Sequence, residues 1–336
     1  MTDATNLFTS VPSILAGGLT GIRCAACHND EDNEWVIVKG PEATRFRFSC
    51  CASCGTLMLE NPEQALSSYT DTYYSFTDTR GSRIERVATR FRNRFERTGA
   101  GTLGRLISKI WPGPRHRSIR PLVAEQILPS FDKTADILDV GCGAGDWLKE
   151  LRNEGFSSLA GCDPFLERDF DEKGITLRQG GPERFDKTFD VITAHHSFEH
   201  EAKGEALLAS MRDQLSDEGV LIIRIPLAAS YGWEKYGGHW VQLDPPYHAC
   251  LYSVAGMTTL ASRVGLELIK TVHDSTHFMV TGSEAHVAGL RSHTQQLANK
   301  RLPQKVFSRR RANMIANLCN MLGTADQAAF YFRKST

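Results

Sequence analysis

A chain of 336 residues, 41% hydrophobic and 23% charged, can bury one large core or two modest ones and is too apolar to stay disordered. Its 39 Lys and Arg balance 39 Asp and Glu, which speaks against a protein that binds polyanions with its whole surface. No run of 18 apolar residues occurs, and the mildly apolar stretch from Leu7 to Ile22 holds Pro12 and three glycines without a basic leader. Neither a membrane span nor a secretory signal is expected, and the protein reads as cytoplasmic.

Residues 1–23 read as an N-terminal extension. Five of the nine cysteines then fall between positions 24 and 54, spaced Cys24-x2-Cys27 and, after 23 residues, Cys51-x2-Cys54. Such spacing points to zinc, because each CxxC turn offers two sulfurs from one tight knuckle and a tetrahedral ion needs four. The β-prone runs "EWVIV" and "RFRF", separated by "KGPEAT", would form a hairpin that brings the knuckles together. Gly55 suits the turn after the second knuckle. Cys50 is a spare thiol. Four cysteines close the coordination shell, so the metal in this ribbon, residues 24–60, is expected to be structural.

An aromatic and basic connector follows over residues 61–120, opening with "NPEQALSSYTDTYYSF". From Arg80 to Arg120 there are twelve Lys or Arg and two acids. Ile84, Val87, Phe91 and Phe95 recur at helical spacing, and Arg83, Arg86, Arg90, Arg94 and Arg97 occupy the adjoining face, which predicts a basic amphipathic helix. Its basic face could be a solvated flank, a contact for a phosphorylated substrate or anionic lipid surface, or an RNA contact. "WPGPRHRSIRP" breaks the helix and leads into the next domain, residues 121–336.

There "ADILDV" reads as a buried parallel strand, and Gly141, Gly143 and Gly145 turn it into the helix "DWLKELRNEG". Asp146 stands where a dinucleotide fingerprint would place its third glycine, and an acid there would repel a pyrophosphate. A ligand carrying an amino acid and no phosphate suits the loop better, with Asp139 at the strand end accepting from an ammonium. "SSLAGCD" is a second strand ending in Asp163, placed to hold both ribose hydroxyls. "GITLRQG", "FDVITAHHSFEH" and "LSDEGVLIIRIP" supply three more strands in alternation with helices, which predicts a doubly wound parallel sheet. "GLELIKTVHD" and "QAAFYFRK" are expected as an antiparallel edge. Between them "QKVFSRRRANMIANLCNML" reads as a second basic helix with Met314, Leu318 and Met321 or Leu322 toward the core.

These segments resemble the class I S-adenosylmethionine-dependent methyltransferases: "LDVGCGAGDWL" looks like their first motif, "GCDP" their ribose motif and "FDVITAHHSFEH" the motif after their fourth strand. The CxxC…CxxCG ribbon, the "NP…YY" connector and the insertion "GGHWVQLDPPYHACLYS" look like those members associated with surface-glycan or natural-product sugar pathways. The likeness runs from about Cys24 to Lys334, and departs from the pattern at "CAACH", which lacks the usual knuckle glycine. It implies an α/β, doubly wound Rossmann-like sheet of seven strands, the last antiparallel, behind a small N-terminal β zinc ribbon, with an insertion at 227–253. It further implies that Gly141, Cys142 and Gly143 pass their backbone along the methionine and ribose of the cofactor. Asp163 would hold the ribose, Pro164 and the loop Gln179, Gly180, Gly181 would border the adenine, and His195 would lie near the methionine.

A sulfonium carries an activated methyl group, so the protein must align an acceptor and exclude water, adding a base only where the acceptor loses a proton. Candidates are His196, Glu199, His200, His239 and His248, with His248 favoured as base, His200 second and Glu199 as orienting carboxylate. Tyr236, Trp240 and Tyr247 could stack on an acceptor or simply pack a lid. The expected acceptor is a small molecule, a sugar or glycan precursor linked to a nucleotide or lipid, with peripheral contact to an anionic membrane surface compatible with the basic helices. The alternatives are an RNA methyltransferase with a zinc ribbon and a non-catalytic binding protein that kept the fold.

Overall fold

The computed structural model describes residues 17–30, 33–39, 45–62, 83–111, 113–289 and 308–335. The turn residues 40–44, nearly all of the aromatic connector and the first residues of the second basic segment lie outside these residues.

The cysteine-rich region forms an antiparallel sheet of β1 (Gly17–Thr20), β2 (Asn33–Lys39), β3 (Arg45–Cys50) and β4 (Leu57–Leu59), in that order. Alternation drives it: Val36 and Val38 of β2 are buried opposite Phe48 and Phe46 of β3, while Trp35 and Ile37 on the other face are only half-buried. Helices α1 (Arg83–Thr98), α2 (Thr102–Ile110), α3 (Pro114–Ser118) and α4 (Arg120–Ala124) follow. The helix read from the sequence is present in α1, and of its apolar positions Phe95 is half-buried. Val87 and Phe91 are exposed, whereas Arg92, Asn93 and Glu96 are buried. Polar partners explain the reversal. Glu96 accepts from Arg117 at 2.7 and 2.9 Å and from Ser108, and Asn93 donates to Glu150 at 2.9 Å, so the polar face is satisfied without water. Gly104 of α2 packs where an added Cβ would lie 2.2 Å from the Phe91 carbonyl oxygen, which lets the two helices touch backbone to backbone.

The main sheet contains β5 (Asp136–Val140), β6 (Ser158–Asp163), β7 (Phe170–Glu172), β8 (Ile175–Gln179), β9 (Phe189–His195), β10 (Leu215–Pro226), β12 (Leu266–His273) and β13 (Gln327–Lys334). Strand β11 (Cys250–Leu251) instead joins the first sheet beside β4. The order is β12-β13-β10-β9-β5-β6-β8-β7. Strands β8, β6, β5, β9 and β10 run parallel; β13 lies between β10 and β12, antiparallel to both. Eight strands stand where seven were expected, because Phe170–Glu172 folds back on β8 as a short hairpin arm. The expected antiparallel edge is present: β12 and β13 pair antiparallel at one end of the sheet, and β13, the last strand, is antiparallel to β10 as well.

Consecutive residues of these strands enter opposite cores. Leu221, Ile223, Phe330 and Phe332 face one side, and Val220, Ile222, Ala329 and Tyr331 the other. Helices α5 (Asp146–Asn153), α6 (Gly204–Asp213) and α8 (Val254–Arg263) contribute to these layers, so both faces are covered as a parallel sheet requires. Cys24, Ala26, Cys51 and Met58 belong to the first of these cores, which makes the cysteine sheet continuous with the main domain.

The insertion at 227–253 forms α7 (Tyr231–Tyr236), two short 3-10 turns and β11. Tyr236 and Trp240 are buried in the core of the cysteine sheet, which settles them as packing residues. Helices α9 (Phe278–Val287) and α10 (Arg309–Leu322) pack together through Met279, Val280, Ala312, Ala316 and Cys319. Met314, Leu318, Met321 and Leu322, expected in the core, are exposed. The small side chains of the opposite face allow a closer approach than the larger ones would. Among the described residues no helix is long and apolar enough to cross a membrane.

Fully buried Asp326 ties the insertion to the base of β13. It accepts from Trp240 Nε1 at 2.9 Å and Ser275 Oγ at 2.6 Å, and burial raises its pKa to about 6. The folded state therefore holds this proton more tightly than the unfolded chain does, and stability present near pH 4 is lost as pH rises through about 6. Asp326→Asn can keep both partners as an amide. The difference in unfolding free energy between wild type and Asp326→Asn, from urea titrations between pH 4 and 7, is expected to shift against the wild type as pH rises.

Candidate functional site

Beside the carboxyl ends of β5, β6 and β9 opens a cavity of about 430 Å³, lined among others by Gly141, Asp163, Pro164, Gly180, Ser197 and His200. Parallel sheets place ligands here, where the chain leaves β5 and its two neighbours connect in opposite directions. The glycine loop forms because Gly141, Gly143 and Gly145 adopt φ values of 75°, 55° and 74°, in the left-handed region that side chains disfavour. At Gly141 there is no space either: a Cβ would lie 2.3 Å from that of Ser197.

Asp163 closes the loop from the next strand. Its carboxylate accepts from Gly143 N and from Phe165 N, both at 2.9 Å, and burial raises its pKa. Each oxygen retains a lone pair for a further donor. Pro164 and Phe165 form the adjoining exposed wall. Of the other expected binding residues, Gly180 lines the cavity, whereas Gln179 is exposed and contributes its backbone to the turn by donating to Asp169. The Cys142 side chain is buried against Gly161 and leaves only its backbone to the loop.

Asp139 and His195 stand together in a buried polar recess behind the same loop, away from the cavity lining. Asp139 accepts from Thr193 at 2.8 Å and pairs with Arg115 at 3.7 Å; His195 meets Ser118 at 3.3 Å and the edge of Trp147 at a centroid distance of 5.4 Å. Strand alternation sends His195 to this side and His196 to the cavity. Asp139 Oδ2, His195 Nδ1 and Trp147 Nε1 are buried without hydrogen-bond partners, an arrangement that costs free energy until a polar group fills it. Burial raises the pKa of Asp139 and lowers that of His195 well below its usual value. Sequence reading missed Arg115, Ser118 and Thr193 here, and Phe165, Ser197 and Lys203 at the cavity. Thr193 and Ser197 lie inside the quoted "FDVITAHHSFEH" segment and Phe165 just after "GCDP", but Arg115, Ser118 and Lys203 come from segments that carry no motif.

The acid–base candidates divide clearly. His196 accepts from Arg224 at Nε2 (2.6 Å) and faces Glu199 with Nδ1 (3.2 Å), so Nδ1 carries the hydrogen and donates it. Its Nε2 lone pair is taken by Arg224, and burial, with Arg224 next, pushes its pKa down to about 3. His239 is exposed and lies off the cavity lining. Glu199, His200 and His248 converge, with the two imidazole centroids 4.9 Å apart. His200 lines the cavity, whereas His248 sits behind it. Burial lowers the pKa of both histidines, with Glu199 opposing.

The four cysteines also converge. Cys24 and Cys54 sulfurs lie 3.6 Å apart and those of Cys27 and Cys51 3.5 Å apart, close to the ~3.8 Å edge of a tetrahedron with metal–sulfur bonds of about 2.3 Å. The set therefore fits a tetrahedral ion, and Cys50 stands outside it. In the first knuckle His28 takes the left-handed place that Gly55 takes in the second, with φ 61° against 73°. Arg23 and Glu205 hold the His28 ring at 2.9 Å each, supporting that conformation.

Residues 114–271, from α3 nearly to the end of β12, match a family model described as a methyltransferase domain. That segment, just under half of the chain, is thus similar to methyltransferase domains. No curated protein sequence matches it. Among solved structures it is similar to the cyclopropane synthase MmaA2 from Mycobacterium tuberculosis, at 16% identity over 76% of this chain and 100% of that one, with a TM-score of 0.41. It is also similar to the plantazolicin methyltransferase BpumL in complex with a triazolic desmethylPZN analogue and SAH, at 17% identity over 75% and 98% of the two chains, with a TM-score of 0.37.

Gly141→Ala is expected to destabilise the fold by about 2–4 kcal/mol, from the left-handed backbone and the overlap with Ser197, as read by denaturant unfolding. Cys51→Ser is expected to abolish the zinc held by the four cysteines, lowering the zinc content by one equivalent in elemental analysis together with the melting temperature, while Cys50→Ser retains that zinc.

Proposed function

We propose that the protein transfers a methyl group from S-adenosylmethionine to a small-molecule acceptor, a sugar or glycan precursor carried on a nucleotide or lipid. The observation that carries this reading is the buried Asp163 facing the cavity from the strand beside the glycine loop, within the segment that matches a methyltransferase domain. When bound, S-adenosylmethionine supplies a methyl group activated by a cationic sulfur. Asp163 would accept from the ribose hydroxyls, and Pro164, Phe165 and Gly180 would border the adenine. The unpartnered atoms of Asp139, His195 and Trp147, with Arg115 nearby, suit an ammonium and a carboxylate, which is the chemistry of a methionine end. In this reading His200 would meet the acceptor from the cavity wall, with Glu199 and His248 behind it, and the three would orient and activate its hydroxyl. The four cysteines would hold a structural zinc ion.

A lipid-linked acceptor is favoured by the outer face of α1 and α2. Val87, Phe91, Leu103, Leu106 and Ile110 are exposed there among Arg90, Arg94, Arg105 and Lys109, a mixture suited to an anionic lipid surface. RNA would be met by the same arginines but gains little from aliphatic side chains.

Calorimetry with S-adenosylhomocysteine tests the reading. Asp163→Ala is expected to weaken binding by about 1.5–3 kcal/mol, roughly tenfold to a hundredfold in Kd, through the loss of a charge-assisted hydrogen bond. Unchanged affinity would remove Asp163 from the ribose site, and no binding to the wild type would remove the activity.

A further inference from the structure

We propose that Glu199, His200 and His248 bind a divalent transition-metal cation at the acceptor end of the cavity, in a second metal site separate from the four cysteines. One ligand atom from each of the three lies within 4.8 Å of the others, and all three residues are at least nine-tenths buried. They come from two distant segments, the turn after β9 and the end of the insertion. Backbone bonds clamp those segments together: Ala249 N donates to Glu199 O at 2.9 Å.

The ring orientations are those of metal ligands. His200 Nδ1 lies 2.8 Å from the Tyr247 carbonyl and His248 Nδ1 lies 2.7 Å from the Gln242 carbonyl. A carbonyl only accepts, so each Nδ1 carries the hydrogen and each neutral ring keeps its lone pair on Nε2. Such bonds fix tautomer and rotation in metal-binding histidines. His248 Nε2 then faces Glu199 Oε1 at 4.0 Å, a lone pair against a carboxylate, which is repulsive unless something positive lies between them. Glu199 Oε2 is buried without a hydrogen-bond partner. Its other oxygen accepts from His196, which is held by Arg224, which pairs with Asp274 at 2.7 Å. That chain orients the carboxylate from behind and leaves Oε2 as the unspent acceptor of the cluster. Ligands about 2.1 Å from one ion lie about 3–3.5 Å apart, so closing on an ion shortens separations of up to 4.8 Å by roughly 1.3–1.8 Å.

Two imidazoles and one carboxylate suit Mn²⁺, Fe²⁺, Co²⁺ or Zn²⁺ and leave coordination positions open. Because His200 lines the cavity, those positions would receive paired oxygens of an acceptor, such as vicinal hydroxyls. This last step rests on the methyl-transfer reading; the cation site does not.

The test is electron paramagnetic resonance of Mn²⁺ added to the full-length protein with its cysteine site loaded with zinc, since thiolates select softer ions than Mn²⁺. One Mn²⁺ per chain is expected in the wild type. Glu199→Gln and His248→Gln should each weaken it by about a hundredfold or more, and His196→Gln, acting from behind the carboxylate, by about tenfold. Far-ultraviolet circular dichroism is expected to persist in all three variants, and S-adenosylhomocysteine binding in Glu199→Gln and His248→Gln, neither of which lines the cavity. Absence of Mn²⁺ binding to the wild type, or equal binding by folded variants, would overturn the site. Wild-type protein that binds S-adenosylhomocysteine but no Mn²⁺ disproves the cation site and leaves methyl transfer standing. Binding of Mn²⁺ at these residues without S-adenosylhomocysteine does the reverse.

Discussion

The chain must leave β5 through a gap too narrow for any side chain. At Gly141 the backbone passes so close to Ser197 that a single Cβ would overlap it, and the positive φ there turns the chain back toward β6. Everything about the site follows from that passage. It sets Gly143 N on the Asp163 carboxylate, opens the cavity on one side of the loop and leaves the Asp139 recess on the other. Buried carboxylates in both places are tolerable because each accepts from groups already fixed by the sheet, so little ordering is left for a ligand to impose.

The cysteine sheet supports the same site from outside. Its core is continuous with one side of the main sheet, and Ser253, at the head of α8, donates to the Cys54 carbonyl. His28, in the first knuckle, reaches Glu205 at the start of α6, whose later turns line the cavity. A metal that holds the two knuckles together therefore holds the footing of a cavity wall. The insertion adds the second attachment, giving β11 to the cysteine sheet and His248 to the acceptor cluster. One segment thus joins the cysteine sheet to the cluster of Glu199, His200 and His248.

Charge inside the molecule is organised in lines. Asp274, Arg224, His196 and Glu199 form one, running from the sheet edge to the cavity. Glu150 and Glu154 with Arg92, Arg97 and His116 form another, between α1 and α5. Removing one member of such a line strands a buried charge, so these residues are retained by their neighbours whatever their direct role in chemistry.

Much of this was legible in the sequence because it depends on local chain properties. Glycines at alternating positions, an acid ending an apolar strand and paired CxxC turns are requirements of backbone geometry and ligand count, and the structure brings each group together. Strand alternation in β10 and β13 likewise follows from period two. The faces of α1 and α10 were not legible: periodicity separates a polar from an apolar face but does not say which will find partners. Glu96 is buried because Arg117 and Ser108, distant along the chain, complete its hydrogen bonds, and Ala312 and Ala316 are buried because small side chains permit close helix contact. The convergence of Glu199, His200 and His248, and the departure of His195 to the far side of the loop, also depend on segments about fifty residues or more apart being folded together. Local backbone demands are written residue by residue, whereas the satisfaction of buried polar groups is a property of the assembled chain.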